Sequence, residues 1–376
     1  MLVGLPKEIK NHEYRVGLTP VSVRELIANG HEVLVQSTAG EGIGESDDAY
    51  TSAGARIASS AEEVFEQADM IVKVKEPQPN ECRMLRPGQL LFTYLHLAPD
   101  PQQTDLLLES GAVAIAYETV TDNDGGLPLL APMSEVAGRM SIQAGAMCLE
   151  KSNGGSGKLL GGVPGVAPAN VLVIGGGVVG TNAIQMAVGL QANVTVLDRS
   201  ITRLRELDAQ FGGSLSTVYS TKAALEHHVA NSDLIIGAVL IPGAAAPKLV
   251  TRDMLKTMQK GSVLVDVAID QGGCFETSKA TTHQEPTYIV DDIVHYCVAN
   301  MPGAVASTSA HALNHATLPF TLALANNGYR EACLADPHLM EGLNVHHGVL
   351  TNGPAAQALG KDFTAPETVL NSEAAA

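Results

Sequence analysis

Short apolar runs alternate with helix-period segments along the first third of the chain. LVGLP at the start, EVLVQ (32–36), MIVKVK (70–75), LLFTY (90–94) and AVAIAYE (112–118) each have strand length. Between the first two, Thr19 and Pro20 supply an N-cap and a first helical residue, and Gly30 supplies a stop. Further helical patterns fall near 61–67 and 101–110. Strand and helix in alternation predict a mostly parallel sheet.

Residues 133–151 form a longer helical pattern behind Pro132, and a Gly/Pro-rich loop, NGGSGKLLGGVPGVAP, follows it. The composition shift places a domain junction near this helix. Six more strand-length runs come next: VLVIG (171–175), NVTVLD (193–198), LSTVY (215–219), DLIIGAV (233–239), GSVLVDVA (261–268) and PTYIV (286–290). From about residue 300 the pattern is helical, clearest in ALNHATLPFTLALAN (312–326). That tail has too few strands to fold alone, so it is expected to return to the first domain. The boundaries expected are 1–130 with 300–376, and 131–299. No internal repeat interrupts this plan.

Lys158 and Asp198 bracket a stretch without a charged side chain, long enough to span a bilayer. Pro164, Pro168, Asn170, Asn182, Gln185 and many glycines argue instead for a buried strand–turn–helix–strand unit. Inside it stands Gly175-Gly176-Gly177-Val178-Val179-Gly180, after a strand and before the helical segment TNAIQMAVGL. In that setting Gly175 permits the tight turn, Gly177 lets the backbone approach a pyrophosphate, and Gly180 lets helix and strand pack closely. Asp198 ends the next strand, where a carboxylate accepts hydrogen bonds from ribose hydroxyls and repels a 2′-phosphate, which favours NAD over NADP. Arg199, Arg203 and Arg205 lie close by and pull the other way. The fold class expected is α/β, with two doubly wound Rossmann-like domains, the first discontinuous in sequence.

Two other motifs fail on inspection. Gly155-Ser156-Gly157-Lys158 lacks the remaining glycine and hydroxyl of a P-loop, having Ser152 and Leu159 there. His311 and His315 have the spacing of a zinc-protease helix, but Ala312 stands where its glutamate belongs, so no metal site is expected.

Composition narrows the functional classes. The formal charge is −17, from 23 Lys plus Arg against 40 Asp plus Glu. Such a field disfavours nucleic-acid phosphates and anionic membrane surfaces. The five cysteines are dispersed without a CxxC, which speaks for a reducing compartment. MLVGLPKEIK lacks the pattern of a secretory signal. In so acidic a chain the cations at strand ends stand out. Arg15 follows the first strand, Lys73 and Lys75 share a face of MIVKVK by the period of two, and His96 follows LLFTY. Ligands of parallel sheets bind at such ends, and these cations suit a carboxylate. The same residues also read as an edge-strand lysine and a satisfied loop histidine, and the residues alone leave both readings open.

Over almost its whole length the chain resembles the alanine dehydrogenase family, which also includes the NAD-binding part of the proton-translocating transhydrogenase alpha subunit. The likeness is carried by GLPKEIKNHEYRVGLTP (4–20), MIVKVKEPQ (70–78), LFTYLHLA (91–98), APMSEVAGRMS (131–141), GVPGVAPANVLVIGGGVVG (162–180), VLVDVAIDQGGCFETS (263–278) and YCVANMPGAVASTSAHALN (296–314). It implies reversible, NAD-dependent oxidative deamination of L-alanine to pyruvate and ammonia. It assigns Arg15 and Lys75 to the substrate carboxylate and His96 with Asp270 to catalysis. Ser134, Val178, Asp198, Arg203, Ser220, Val239, Leu240 and Lys279 would line the NAD site, beside Gly175, Gly177, Val179 and Gly180 of the turn. Val298, Ala299, Asn300 and Met301 would join them, as would Val267, while Ala268, Ile269 and Asp270 would border the nicotinamide. Position 203 is often Lys in the family and position 279 often Arg. The resemblance also implies a cytoplasmic homohexamer. A transhydrogenase-type subunit or a related opine-type dehydrogenase is the alternative, and the presence of both Lys75 and His96 favours an amino-acid dehydrogenase.

Overall fold

A computed structural model describes residues 1–239 and 246–372. The chain divides into two compact units, Met1–Met133 with Val305–Ala376, and Ser134–Ala304. The first unit begins with strands β1 (Leu2–Leu5), β2 (Glu32–Gln36), β3 (Arg56–Ala58), β4 (Met70–Val72), β5 (Leu90–Thr93) and β6 (Val113–Ala116). The second contains β7 (Asn170–Ile174), β8 (Asn193–Asp198), β9 (Leu215–Tyr219), β10 (Leu234–Gly237), β11 (Val263–Asp266), β12 (Thr287–Val290) and β13 (Ile293–Tyr296). The chain then returns to the first unit through helix Ala306–Asn327 and the hairpin β14 (Leu343–His346) and β15 (Val349–Leu350).

In the first unit the sheet order is β3-β2-β1-β4-β5-β6-β14-β15. Strands β1 to β6 are all parallel, and β14 joins β6 antiparallel. MIV, LLFT and VAIA are buried at every position, as strands covered on both faces must be. Phe65 and Leu107 from flanking helices pack with Ile71, Leu91 and Ala114, and Val345 of the returning segment completes the same cluster. Capping follows the local chemistry: Thr19 accepts from Ser22 N–H ahead of Pro20, and Asp100 accepts from Gln103 N–H ahead of Pro101.

The second sheet runs β9-β8-β7-β10-β11-β13-β12, parallel except for β12. Alternate residues of its central strands feed two separate cores. Val171, Val173, Ile236 and Val265 join one cluster; Leu172, Ile174, Ile235 and Leu264 join the other. In each sheet the parallel strands follow the doubly wound order, reversing between β1 and β4 in the first and between β7 and β10 in the second.

Several elements differ from the sequence reading. PTYIV is not the sixth parallel strand. Its residues Thr287–Val290 form an antiparallel edge, and IVHY (293–296) fills the parallel place beside β11. Asp291 and Asp292 turn that hairpin with φ of 50° and 64°, the left-handed pair a two-residue hairpin needs. The tail is not purely helical, because β14 and β15 extend the first sheet around His347 and Gly348, at φ 47° and 84°. MIVKVK is a strand only to Val72, for beyond it the Glu8 carboxylate takes the Val74 N–H. Lys73 and Lys75 therefore do not share a strand face. Lys73 is fully buried and Lys75 half-buried.

Candidate active site

Three loops leave the C-terminal edge of the first sheet at its reversal and on the strand beside it. They follow β1, β4 and β5, and they carry Arg15, Lys75 and His96 respectively. Arg15 is buried, at 2% exposure, and the reason it can be is Glu13. Arg15 Nε and backbone N donate to Glu13 Oε1 at 2.7 and 3.0 Å, and Nη2 donates to Oε2 at 2.5 Å. Nη1 faces the Met133 sulfur at 3.1 Å, a weak acceptor. Burial works against the guanidinium charge, but the Glu13 hydrogen bonds and charge outweigh it, and the Arg15 pKa is raised.

His96 stands on a strained corner, with φ of 50°. Glu118 holds that corner by accepting the backbone N–H groups of His96 and Leu95 at 2.6 and 3.1 Å. The same carboxylate lies 3.8 Å from His96 Nδ1. The imidazole is 41% exposed and stacks on Tyr94, ring centroids 5.8 Å apart and planes 8° from parallel. Tyr94 is locked in turn by its hydroxyl, which donates to the Leu129 carbonyl at 2.6 Å. Glu76, beside Lys75, pairs with Lys10. Burial pushes the Glu76 carboxyl up, yet Lys75, Lys10 and His96 together hold it below its ordinary range. Glu13, Glu118 and Tyr94 were absent from the sequence reading. The nearest signal was an acid two residues from Arg15; nothing local marks Glu118, which lies 22 residues from His96.

The second unit presents its candidates at the C-terminal edge of its own sheet. Gly175 has φ of 100°, and a Cβ there would meet the Ala238 carbonyl at 2.7 Å. A Cβ on Gly180 would stand 1.9 Å from the Gly175 carbonyl, whereas one on Gly177 would meet nothing within 4 Å. The first two glycines serve the turn; the third leaves an open cradle. Helix Val178–Gly189 starts there without a side-chain cap, so its first N–H groups face the cradle. Val178 is exposed and Val179 half-buried. Asp198 Oδ2 accepts from Gly176 N–H at 2.7 Å and Oδ1 from Ser200 N–H at 2.7 Å. Arg203 braces the same turn: Nε donates to the Gly176 carbonyl, Nη2 to Thr181 and Nη1 to Glu206, each at 2.6 Å. These residues fit a dinucleotide.

The remaining candidates lie on neighbouring loops. Ser220, half-buried after β9, donates its N–H to the Asp198 carbonyl at 2.9 Å. Val239 follows β10, and Leu240 lies outside the described residues. Val267, Ala268, Ile269 and Asp270 form a 3₁₀ turn after β11, with Asp270 exposed. Val298, Ala299, Asn300 and Met301 follow β13, Asn300 with φ of 69°. Lys279 is exposed, its backbone N–H donating to Tyr288 at 2.7 Å, and Ser134 is half-buried on helix Ala131–Cys148. Lys158 of the P-loop-like stretch is used structurally, donating to Asp233 at 2.6 Å. Among the described residues no group of three or more His, Cys, Asp or Glu side chains is arranged to hold a metal ion. Among them, too, no helix is long and apolar enough to cross a membrane.

Two parallel-dominant α/β units, one with a dinucleotide-type turn, define a protein of the Rossmann-like class. The family models "Alanine dehydrogenase/PNT, N-terminal domain" and "Alanine dehydrogenase/PNT, C-terminal domain" match residues 4–137 and 141–353. An alanine dehydrogenase of Halomonas elongata is 63% identical over 363 residues, 96% of this chain and 98% of the relative. One from Mycobacterium tuberculosis is 53% identical over 370 residues, 98% of this chain and all of the relative. Among solved structures, an L-alanine dehydrogenase superposes with a TM-score of 0.93 at 50% identity, covering 96% of this chain and 99% of the other. A transhydrogenase from Sinorhizobium meliloti superposes with a TM-score of 0.80 at 25% identity, covering 94% and 99%. The chain belongs to the alanine dehydrogenase/PNT family.

Proposed function

We propose that this protein is an NAD-dependent L-alanine dehydrogenase, interconverting L-alanine with pyruvate and ammonia. Family membership implies a nicotinamide dinucleotide, and Asp198 at the end of β8 supports NAD within that class. The observation that carries the substrate reading is the gathering of Arg15, Lys75 and His96 on loops at one edge of one sheet. A transhydrogenase-type function needs no organic substrate and gives these three no task. In this reading residues 1–130 with 300–376 are the substrate domain and 131–299 the NAD domain. The protein would work in the cytoplasm as a homohexamer, without nucleic-acid or membrane partners.

The chemistry assigns a task to each side chain. Bound nicotinamide supplies the acceptor for the hydride of the alanine α-carbon. Arg15 offers the substrate carboxylate a planar fork of N–H donors, and Lys75 adds a compact positive charge. Loss of hydride leaves an iminium, water adds to give a carbinolamine, and this collapses to pyruvate and ammonia. Protons must leave the amine and the water, and one must return to the departing nitrogen. His96 moves them, since imidazole accepts and donates protons near neutrality. Asp270 orients the water or takes a proton from it. In the reverse direction Lys75 polarises the pyruvate carbonyl.

Lys75→Ala tests the substrate reading. Losing a hydrogen bond to a charged group costs about 1.5–3 kcal/mol, or roughly 10- to 150-fold in pyruvate affinity. The pyruvate KM should rise by that factor while NADH binds as before. An unchanged pyruvate KM would remove Lys75 from the carboxylate site.

A further inference from the structure

Lys73 lies wholly buried between two buried carboxylates. Its Nζ donates to Glu81 Oε1 at 2.7 Å and to Glu8 Oε2 at 3.1 Å. One carboxylate would neutralise the lysine, and Glu81 does so at the shorter distance. Glu81 is also occupied by local structure, its Oε2 accepting the Gln78 N–H at 2.8 Å in a capping box. A second buried carboxylate adds a desolvation cost with no lysine left to balance it. Burial, with Glu81 and Glu13 nearby, raises the Glu8 pKa even though Lys73 opposes the shift. Charge balance therefore does not explain why Glu8 is there.

Its other oxygen does. Glu8 Oε1 accepts the Val74 N–H at 2.6 Å and the Lys75 N–H at 3.3 Å. The carbonyls of this segment are held as well, since Lys73 O accepts from Tyr117 at 3.0 Å and Lys75 O from Thr93 at 2.9 Å. Where β4 ends, the buried Val74 N–H has its partner in this carboxylate. Glu8 sits in the loop after β1 that also carries Arg15, so one side chain ties the Arg15 loop to the Lys75 backbone. We infer that Glu8 is the positioning residue for Lys75, its carboxylate fixing the Val74–Lys75 backbone so that the Lys75 ammonium is held in register with Arg15. Lys73 is the anchor that keeps Glu8 turned to this task. This rests on the reading of Lys75 as a substrate-carboxylate ligand.

The test compares Glu8→Ala with Glu8→Gln, alone and on a Lys75→Ala background. Both variants leave Lys73 paired with Glu81, so neither strands a buried charge. Glutamine keeps an acceptor for the two N–H groups, and alanine does not. Pyruvate KM, NADH Kd and amide hydrogen exchange at residues 74 and 75 are measured. Glu8→Ala should raise the pyruvate KM by roughly tenfold or more, leave the NADH Kd within about twofold, and speed exchange at both amides. Glu8→Gln should restore most of each. On the Lys75→Ala background Glu8→Ala should add nothing further, because the two act through one contact. Full additivity would overturn the inference. So would a wild-type KM in Glu8→Ala, or a Gln variant no better than Ala. If Lys75→Ala itself leaves the pyruvate KM unchanged, the reading of Lys75 fails and the inference falls with it; amide exchange separates that failure from failure of the clamp.

Discussion

Arg15, Glu76 and Arg203 are each paired with another charged side chain, and such pairing decides what single substitutions should do. Arg15 and Glu13 form a buried ion pair, and breaking such a pair costs about 3–5 kcal/mol, so removing Arg15 would confound binding with folding. His96 is different, being exposed with its corner held through backbone N–H groups. His96→Ala should fold, bind NADH normally and lose roughly 10²–10⁴-fold in turnover, the contribution of a placed proton carrier. Near-wild-type turnover across pH would mean that another group moves the protons. In the proposed reading Asp198 sets cofactor choice: it accepts from the glycine turn, and at the end of β8 it would meet the ribose hydroxyls. Arg203 is committed to Gly176, Thr181 and Glu206, so it is not available to capture a 2′-phosphate. In Asp198→Ala the NAD kcat/KM should fall steeply, and the NADP-to-NAD ratio should rise while NADP turnover stays low. A ratio within about twofold of wild type, roughly 0.5 kcal/mol, would show that Asp198 does not discriminate.

Elements with regular apolar patterns were legible in the sequence, and those that break the pattern were not. Helices Ala61–Gln67 and Pro101–Ser110 stand where the helical patterns put them. Strand β13 was missed because IVHY carries a histidine and its hairpin turn, Asp291-Asp292, contains no glycine. Its His295 is fully buried, bonded to the Ile293 carbonyl at 3.0 Å and Thr277 at 2.7 Å, and stacked on Tyr288. Burial depresses its pKa below 6.5, an effect that the Ile293 hydrogen bond and Asp291 only partly offset. The folded protein thus favours the neutral ring, and the unfolded chain takes up the proton first. His295 contributes its full stability above about pH 6.5 and loses it as pH falls toward the depressed value. Thermal melts of wild type and His295→Gln should show the wild-type margin narrowing between about pH 7.5 and 5.5. A margin constant over that range would mean that the ring is not held neutral. Among the site residues, Arg15, Lys75 and His96 were visible as cations at strand ends. Their carboxylate partners Glu8 and Glu118 were not, because each is brought to its place by the sheet, 67 and 22 residues from the backbone it holds.

At the scale of the whole molecule, two doubly wound sheets each present their candidate residues on loops at the C-terminal edge, where ligands of such sheets bind. The strand–helix alternation and the glycine turn were enough to expect an α/β nucleotide-binding protein; the substrate came from resemblance, since nothing in the periodicity singles out alanine. Relatives at 53–63% identity over nearly the full chain make the family secure, and they make the activity the claim to test first. The decisive measurement is the initial rate of NADH formation with L-alanine, compared with glycine, L-serine and other amino acids, and with NADP in place of NAD. The account predicts NADH formation with L-alanine, slower or no reaction with larger and dicarboxylic amino acids, and little NADP reduction. Protein that is folded and binds NADH but forms none from L-alanine would contradict it.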